Sequence, residues 1–200
     1  MGKYAMSLVL LIVLTVPGVA KAQEKGQVGV TFASPASVGL LFHPTDSLAV
    51  RPDFTFSRSS SDSTSTSVSG SSTSTAIGLG IAALFYARTW EHLKVYFTPR
   101  FSYARSTSHN SGTSTSAISG STVTSTSQNT GNTYSGSGSV GAQYTLSGRF
   151  GVFAETGIVY SRVTSSASGT STLSSGPVSS ASGHANTWST RAGIGAVVYF

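Results

Sequence analysis

The chain has 200 residues, of which 9% are charged, with a formal net charge of +6, 22 glycines and no cysteine. That length fits one domain, and the absence of cysteine excludes disulfide bracing and thiolate metal sites. The basic residues stand singly, without runs of like charge, which argues against a nucleic-acid partner.

The N-terminus reads MGKYAMSLVLLIVLTVPGVAKAQ. A basic start at Lys3, an apolar run from Met6 to Val16 and the small-x-small site Ala20-Lys21-Ala22 form the pattern of a secretory signal peptide over 1–22, with the mature chain starting at Gln23. The run is short for a transmembrane helix, and no later segment approaches the ~20 apolar residues that such a helix needs.

From there the chain alternates in hydropathy with period two, the signature of strands. Two short segments, 26–32 and 37–43, come first. In LAVRPDFTFS, Leu48, Val50, Pro52, Phe54 and Phe56 share one parity, and Ala49, Arg51, Asp53, Thr55 and Ser57 the other. A glycine-rich apolar stretch follows at 74–86. LKVYFTPRFSYAR repeats the split from Leu93, and TYSGSGSVGAQYTL extends over 133–146. FGVFAETGIVYS, from Phe150, and TWSTRAGIGAVVYF, from Thr187 to Phe200, complete eight predicted strands.

The connections are of two kinds. PTDS (44–47), ARTWEH (87–92) and SGR (147–149) are short turns. Long tracts of almost pure Ser, Thr and Gly, at 57–75, 106–132 and 163–183, alternate with them, and a brief ASPA (33–36) joins the first two strands. Placing the tracts at one end and the turns at the other gives an unbroken up-and-down meander.

Alternation alone does not separate a soluble sandwich from a membrane barrel. The residue types on each face do. The apolar parity carries aromatics toward the strand ends: Phe54, Phe56, Phe101, Tyr103, Tyr134, Tyr160 and Trp188 near the tracts, and Phe42, Tyr144 and Phe150 near the short turns. Two aromatic girdles around an aliphatic band mark a lipid-facing surface. The other parity is rich in glycine and small residues, including Gly78, Gly80, Gly141, Gly193 and Gly195, as a narrow lumen requires. The expected fold is therefore all-β: an eight-stranded antiparallel up-and-down transmembrane β-barrel over residues 23–200, closed because lipid tolerates no open sheet edge.

Export signal, eight alternating strands, long loops opposite short turns and the terminal AVVYF together resemble the small outer-membrane barrels of the OmpA/OmpX type. The resemblance implies a bacterial outer membrane, with termini in the periplasm and the Ser/Thr-rich loops outside, and no C-terminal periplasmic domain. It also implies that Val198 and Phe200 form the C-terminal signal read by the barrel insertion machinery. Outer-membrane lipid is the other expected partner, and a monomer the expected state.

The lumen parity carries Arg51, Asp53, Lys94, Arg100, Glu155 and Arg191. In a low-dielectric interior these charges must pair or be wet, so a network in which Asp53 and Glu155 neutralise cations is expected. The rival is an ion pathway, which a bore just wide enough for side chains disfavours.

His43, His92, His109 and His184 have no ligand spacing, and no metal or cofactor is expected. A nucleophile needs a base and an orienter, yet the tracts hold one carboxylate, Asp62. An enzyme is not expected. The reading is a structural or surface-interacting barrel; the alternatives are a small porin and an exported soluble β-sandwich or adhesin with Ser/Thr-rich stalks.

Overall fold

The computed structural model describes residues 26–34, 37–65, 68–115, 122–172 and 179–200. The expected signal peptide at 1–22 lies outside them. Eight strands follow in order: β1 (Val28–Ser34), β2 (Ser37–Thr45), β3 (Leu48–Thr64), β4 (Val68–Thr89), β5 (Leu93–Thr115), β6 (Thr122–Ser147), β7 (Phe150–Ser171) and β8 (Ser179–Tyr199). Each pairs antiparallel with the next, and β1 pairs with β8, so the sheet closes into a barrel.

The register fixes how the strands lean. From Asn186, successive cross-strand partners are Arg162, Tyr134, Tyr103, Leu79, Phe54, Val38 and Phe32, and the partner of Phe32 on β8 is Ala196. The circuit returns ten residues from where it began (186 to 196), a stagger that tilts the strands by roughly 40° to the barrel axis. The irregular pairings, at Phe42/Thr45, Tyr86/Arg88 and Thr145/Ser147, all lie at the short-turn end.

The polarity is that of a membrane barrel. Leu40, Phe54, Leu79, Ile81, Phe97, Phe101, Val140, Ile158 and Ile194 are all more than two-fifths exposed on the outside. Arg51, Asp53, Lys94 and Glu155 are buried inside. A continuous apolar exterior around a charged interior is unstable in water and suits hydrocarbon. The expected girdle aromatics all lie on the outer parity: Phe54, Phe56, Phe101, Tyr103, Tyr134, Tyr160 and Trp188 toward the long hairpins, and Phe42, Tyr144 and Phe150 toward the short turns.

The strand boundaries need correction. Alternation ends the third strand at Ser57 and starts the fourth at Ser74, and the tract between them, where Thr favours extended structure, is expected as a mobile or only partly strand-like hairpin extension. The strands instead continue to Thr64 and from Val68, paired at every step, and the tracts between β5 and β6 and between β7 and β8 behave the same way. A run of Ser and Thr carries no hydropathy contrast, so periodicity cannot register it. Its stabilisation comes from hydroxyls on directly opposed residues, such as Ser71 with Ser111 at 2.7 Å, Thr126 with Thr170 at 2.8 Å and Ser74 accepting from Ser108 at 3.0 Å. Such cross-strand pairs contribute roughly 0.2–1 kcal/mol each, and Thr favours extended backbone.

The first hairpin does not share this extension. Pairing of β2 with β3 stops at Ser37 and Thr55, and pairing of β1 with β8 stops at Ser34 and Ile194. Beyond that level the other six strands continue as an open sheet, in which β3 and β8 are paired on one side only among the described residues. Between Arg105 and Thr115 the β5–β6 hairpin gains ten residues per strand, roughly 33 Å of chain at a strand's rise.

Candidate functional site

The inward parity of each strand delivers its side chains to the bore, where two ion pairs form. Arg51 Nη2 donates to Glu155 Oε1 at 2.7 Å, and Tyr96 Oη donates to the same oxygen at 3.1 Å. Because β3 and β7 are four strands apart in either direction, the Arg51–Glu155 bridge crosses the lumen. The Arg51 guanidinium also lies over the Phe153 ring, 5.1 Å from its centroid. Arg100 is paired with Asp53 beside this bridge.

The remaining two cations of the expected network lie to either side of these pairs along the bore. Lys94 is buried toward the short-turn end, with its ammonium 5.2 Å from the centre of the Tyr86 ring. Arg191 is half-buried on the other side, beyond the ion pairs toward the long hairpins. Four cations thus share the lumen with two carboxylates.

Below the charges lies a set of groups that a small-residue lumen does not lead one to expect. Tyr86, Tyr96 and Tyr199 fill the bore with Leu41, Leu84 and His43. Gln143 links two of them, donating from Nε2 to Tyr199 Oη at 2.6 Å and accepting from Tyr86 Oη at 3.5 Å. His43 Nε2 lies 3.2 Å from Tyr86 Oη, and the two rings stack. The signal for this plug is present in the parity: Tyr96, Phe153 and Tyr199 fall on the polar face.

The glycines make room for it. Tyr96 lies over its direct partner Gly141, where a Cβ would come within 2.5 Å of the ring. Phe153 lies over Gly195 in the same way, and Tyr199 over Gly29, where a Cβ would come within 2.9 Å of the ring. Glycine richness therefore does not mean a wide lumen. At these three positions the missing side chain is replaced by a ring from the neighbouring strand.

The histidines do not converge. His92 lies beside Glu91 at the short-turn end, at 3.8 Å. His184 shares its row with Arg105, three strands and four residues away from His109. Among the described residues, no three His, Asp or Glu side chains are grouped as metal ligands would be.

A scan against protein-family models gives no match, and a search of curated proteins gives none. Solved structures do match. A major outer membrane protein from Thermus thermophilus aligns with a TM-score of 0.52 at 14% identity, over 87% of this chain and 98% of that one. The chain has the fold of the small outer-membrane β-barrels. CarO of Acinetobacter baumannii aligns at 10% identity and a TM-score of 0.44, over 90% of this chain and all of that one. Ail, the attachment invasion locus protein of Yersinia pestis, aligns at 11% identity and a TM-score of 0.36, over 87% of this chain and 94% of that one. At these identities the likeness is one of architecture, and chemistry has to be read from this barrel's own side chains.

Proposed function

We propose that the chain is an integral protein of a bacterial outer membrane: a closed, non-conducting barrel that carries Ser/Thr-rich hairpins into the surroundings for a structural or surface-interaction role. In this reading the leader 1–22 is removed on export, the termini lie in the periplasm and the hairpins lie outside. Val198 and Phe200 present the terminal strand to the insertion machinery. The barrel works as a monomer, holds no cofactor and performs no catalysis.

The observation that carries the reading is the bore-spanning Arg51–Glu155 bridge stacked on the Tyr86, Tyr96 and Tyr199 layer. A lumen filled across its full width by side chains supports a scaffold better than a pore. Support for the outward display comes from the asymmetry of the strands, which extend far past the apolar band at one end only.

Planar-bilayer recording of the refolded protein should give no stable conductance, and a large, steady one would restore the porin reading. Protease added to intact cells should cut within 57–75, 106–132 or 163–183 and spare the barrel. Recovery in the soluble fraction, without boiling-dependent gel mobility, would instead favour the exported sandwich.

A further inference from the structure

The basic side chains of the described residues fall into three groups. Arg51, Lys94, Arg100 and Arg191 face the lumen, and Arg88 and Arg149 lie at the short-turn end. The remaining three, Arg58 on β3, Arg105 on β5 and Arg162 on β7, are exposed on the outer parity.

These three share a height. The partner of Arg58 two strands along, by way of Thr75, is Thr107, and Arg105 lies two residues below it. The partner of Arg105 two strands along, by way of Asn132, is Thr164, and Arg162 again lies two residues below. A stagger of ten residues over eight strands is 2.5 residues for every two strands. The guanidinium-bearing positions therefore follow the tilt to within half a residue per step and form a level belt on alternate strands.

The belt sits directly above the apolar band. One outward position toward the barrel from each arginine stand Phe56, Tyr103 and Tyr160, and Trp188 lies on β8 against Tyr160, with ring centres 5.0 Å apart. Beside Arg105 the surface is hollowed into a groove of about 520 Å³. Ile77, Leu79 and Tyr103 line it on the apolar side, with Thr75, Thr107 and Arg105 at its polar rim. Apolar below and cationic above is the profile of a lipid's acyl-to-headgroup junction. The single carboxylate on this outer face beyond the girdle, among the described residues, is Asp62, four residues further out than Arg58.

We infer that Arg58, Arg105 and Arg162 bind the phosphate groups of a phosphorylated outer-leaflet lipid, whose acyl chain lies in the groove against Ile77, Leu79 and Tyr103. The inference rests on the outer-membrane reading above. Arginine suits the task, since its planar fork engages phosphate oxygens in pairs, and anionic headgroups attract cations at the membrane surface.

The test titrates lipid A into the refolded protein in zwitterionic detergent micelles and follows the fluorescence of Trp188 in a Trp90→Phe background. Lipid A stripped of its phosphates, and a glucosamine phosphate without acyl chains, serve as parallel probes. Lipid A should bind and the other two should not. The Arg58→Ala/Arg105→Ala/Arg162→Ala variant should bind on the order of 100-fold more weakly. The corresponding triple Lys variant, which keeps the charges and loses the paired hydrogen bonds, should bind with an affinity between those of the parent and the triple Ala variant, and Arg149→Ala should match the parent.

Equal binding of the stripped lipid, or undiminished binding by the triple Ala variant, would overturn the inference. Binding of the acyl-free phosphate as tight as that of lipid A would also overturn it, by showing a site for free phosphate. Boiling-dependent gel mobility of every variant reports folding separately. Its loss in the parent protein would count against the membrane reading and not against the belt.

Discussion

Arg51 and Glu155 meet across the whole width of the barrel, from strands on opposite walls, and both are almost fully buried at 5% and 6% exposure. Removing one member leaves an uncompensated charge in a low-dielectric interior, at a cost of about 3–5 kcal/mol. Glu155→Gln should therefore destabilise the refolded barrel by that amount in urea unfolding. The Arg51→Met/Glu155→Gln double variant should recover a large part of the loss. Equal stabilities for the single and double variants would mean that the bridge does not form.

The ring-over-glycine pairs predict a coupling. Gly141→Ala places a Cβ against the Tyr96 ring, and overpacking of this kind costs about 1–3 kcal/mol. In a Tyr96→Ala background the same substitution should be close to neutral, since the ring that it strikes is gone. A double-mutant cycle measured by urea unfolding gives the coupling energy, and additivity would place the strain elsewhere.

Conductance should follow the same rings. The triple variant Tyr86→Ala/Tyr96→Ala/Tyr199→Ala removes the plug and leaves the wall intact. It should show stable single-channel openings where the parent shows none. A silent triple variant would mean that the ion-pair layer alone seals the bore.

How far the sequence leads can be judged from these same residues. Strand order, closure and the two faces follow from period-two alternation, because lipid and lumen impose opposite residue types on adjacent positions. Arg51, Asp53, Arg100 and Glu155 stand out as lumen charges for that reason, but their partners do not. Whether Arg51 meets Asp53 or Glu155 depends on the stagger of the sheet, which no local pattern encodes. The plug is hidden for a different reason. Tyr96, Phe153 and Tyr199 fall on the lumen parity, but rings of that size look out of place among its small residues, and only pairing with Gly141, Gly195 and Gly29 shows that the lumen has space for them. The tracts are legible only as partly strand-like, from the preference of Thr for extended backbone; how far their pairing runs is not, because uniform Ser and Thr have no contrast to repeat.

The open outer sheet predicts a lateral gradient in amide exchange. In the extension, β5 and β6 are paired on both sides, whereas β3 and β8 are edges. Amides at 107–113 and 124–130 should exchange more slowly than those at 57–64 and 180–186, and all should exchange faster than the barrel-level amides of the same strands. Uniformly slow exchange from barrel to tip would contradict the gradient.

The continuous pairing of the tracts' described residues also bears on how such a protein can change over generations. Losing one residue within a barrel strand exchanges its lipid face for its lumen face from that point on. Matched losses or gains on the two arms of a hairpin, taken from its tip, leave every remaining partner in place. Stretches built from interchangeable hydroxyl residues add no further demand on which residue meets which. The three tracts are thus free to drift in length while the ring of strands beneath them is held fixed.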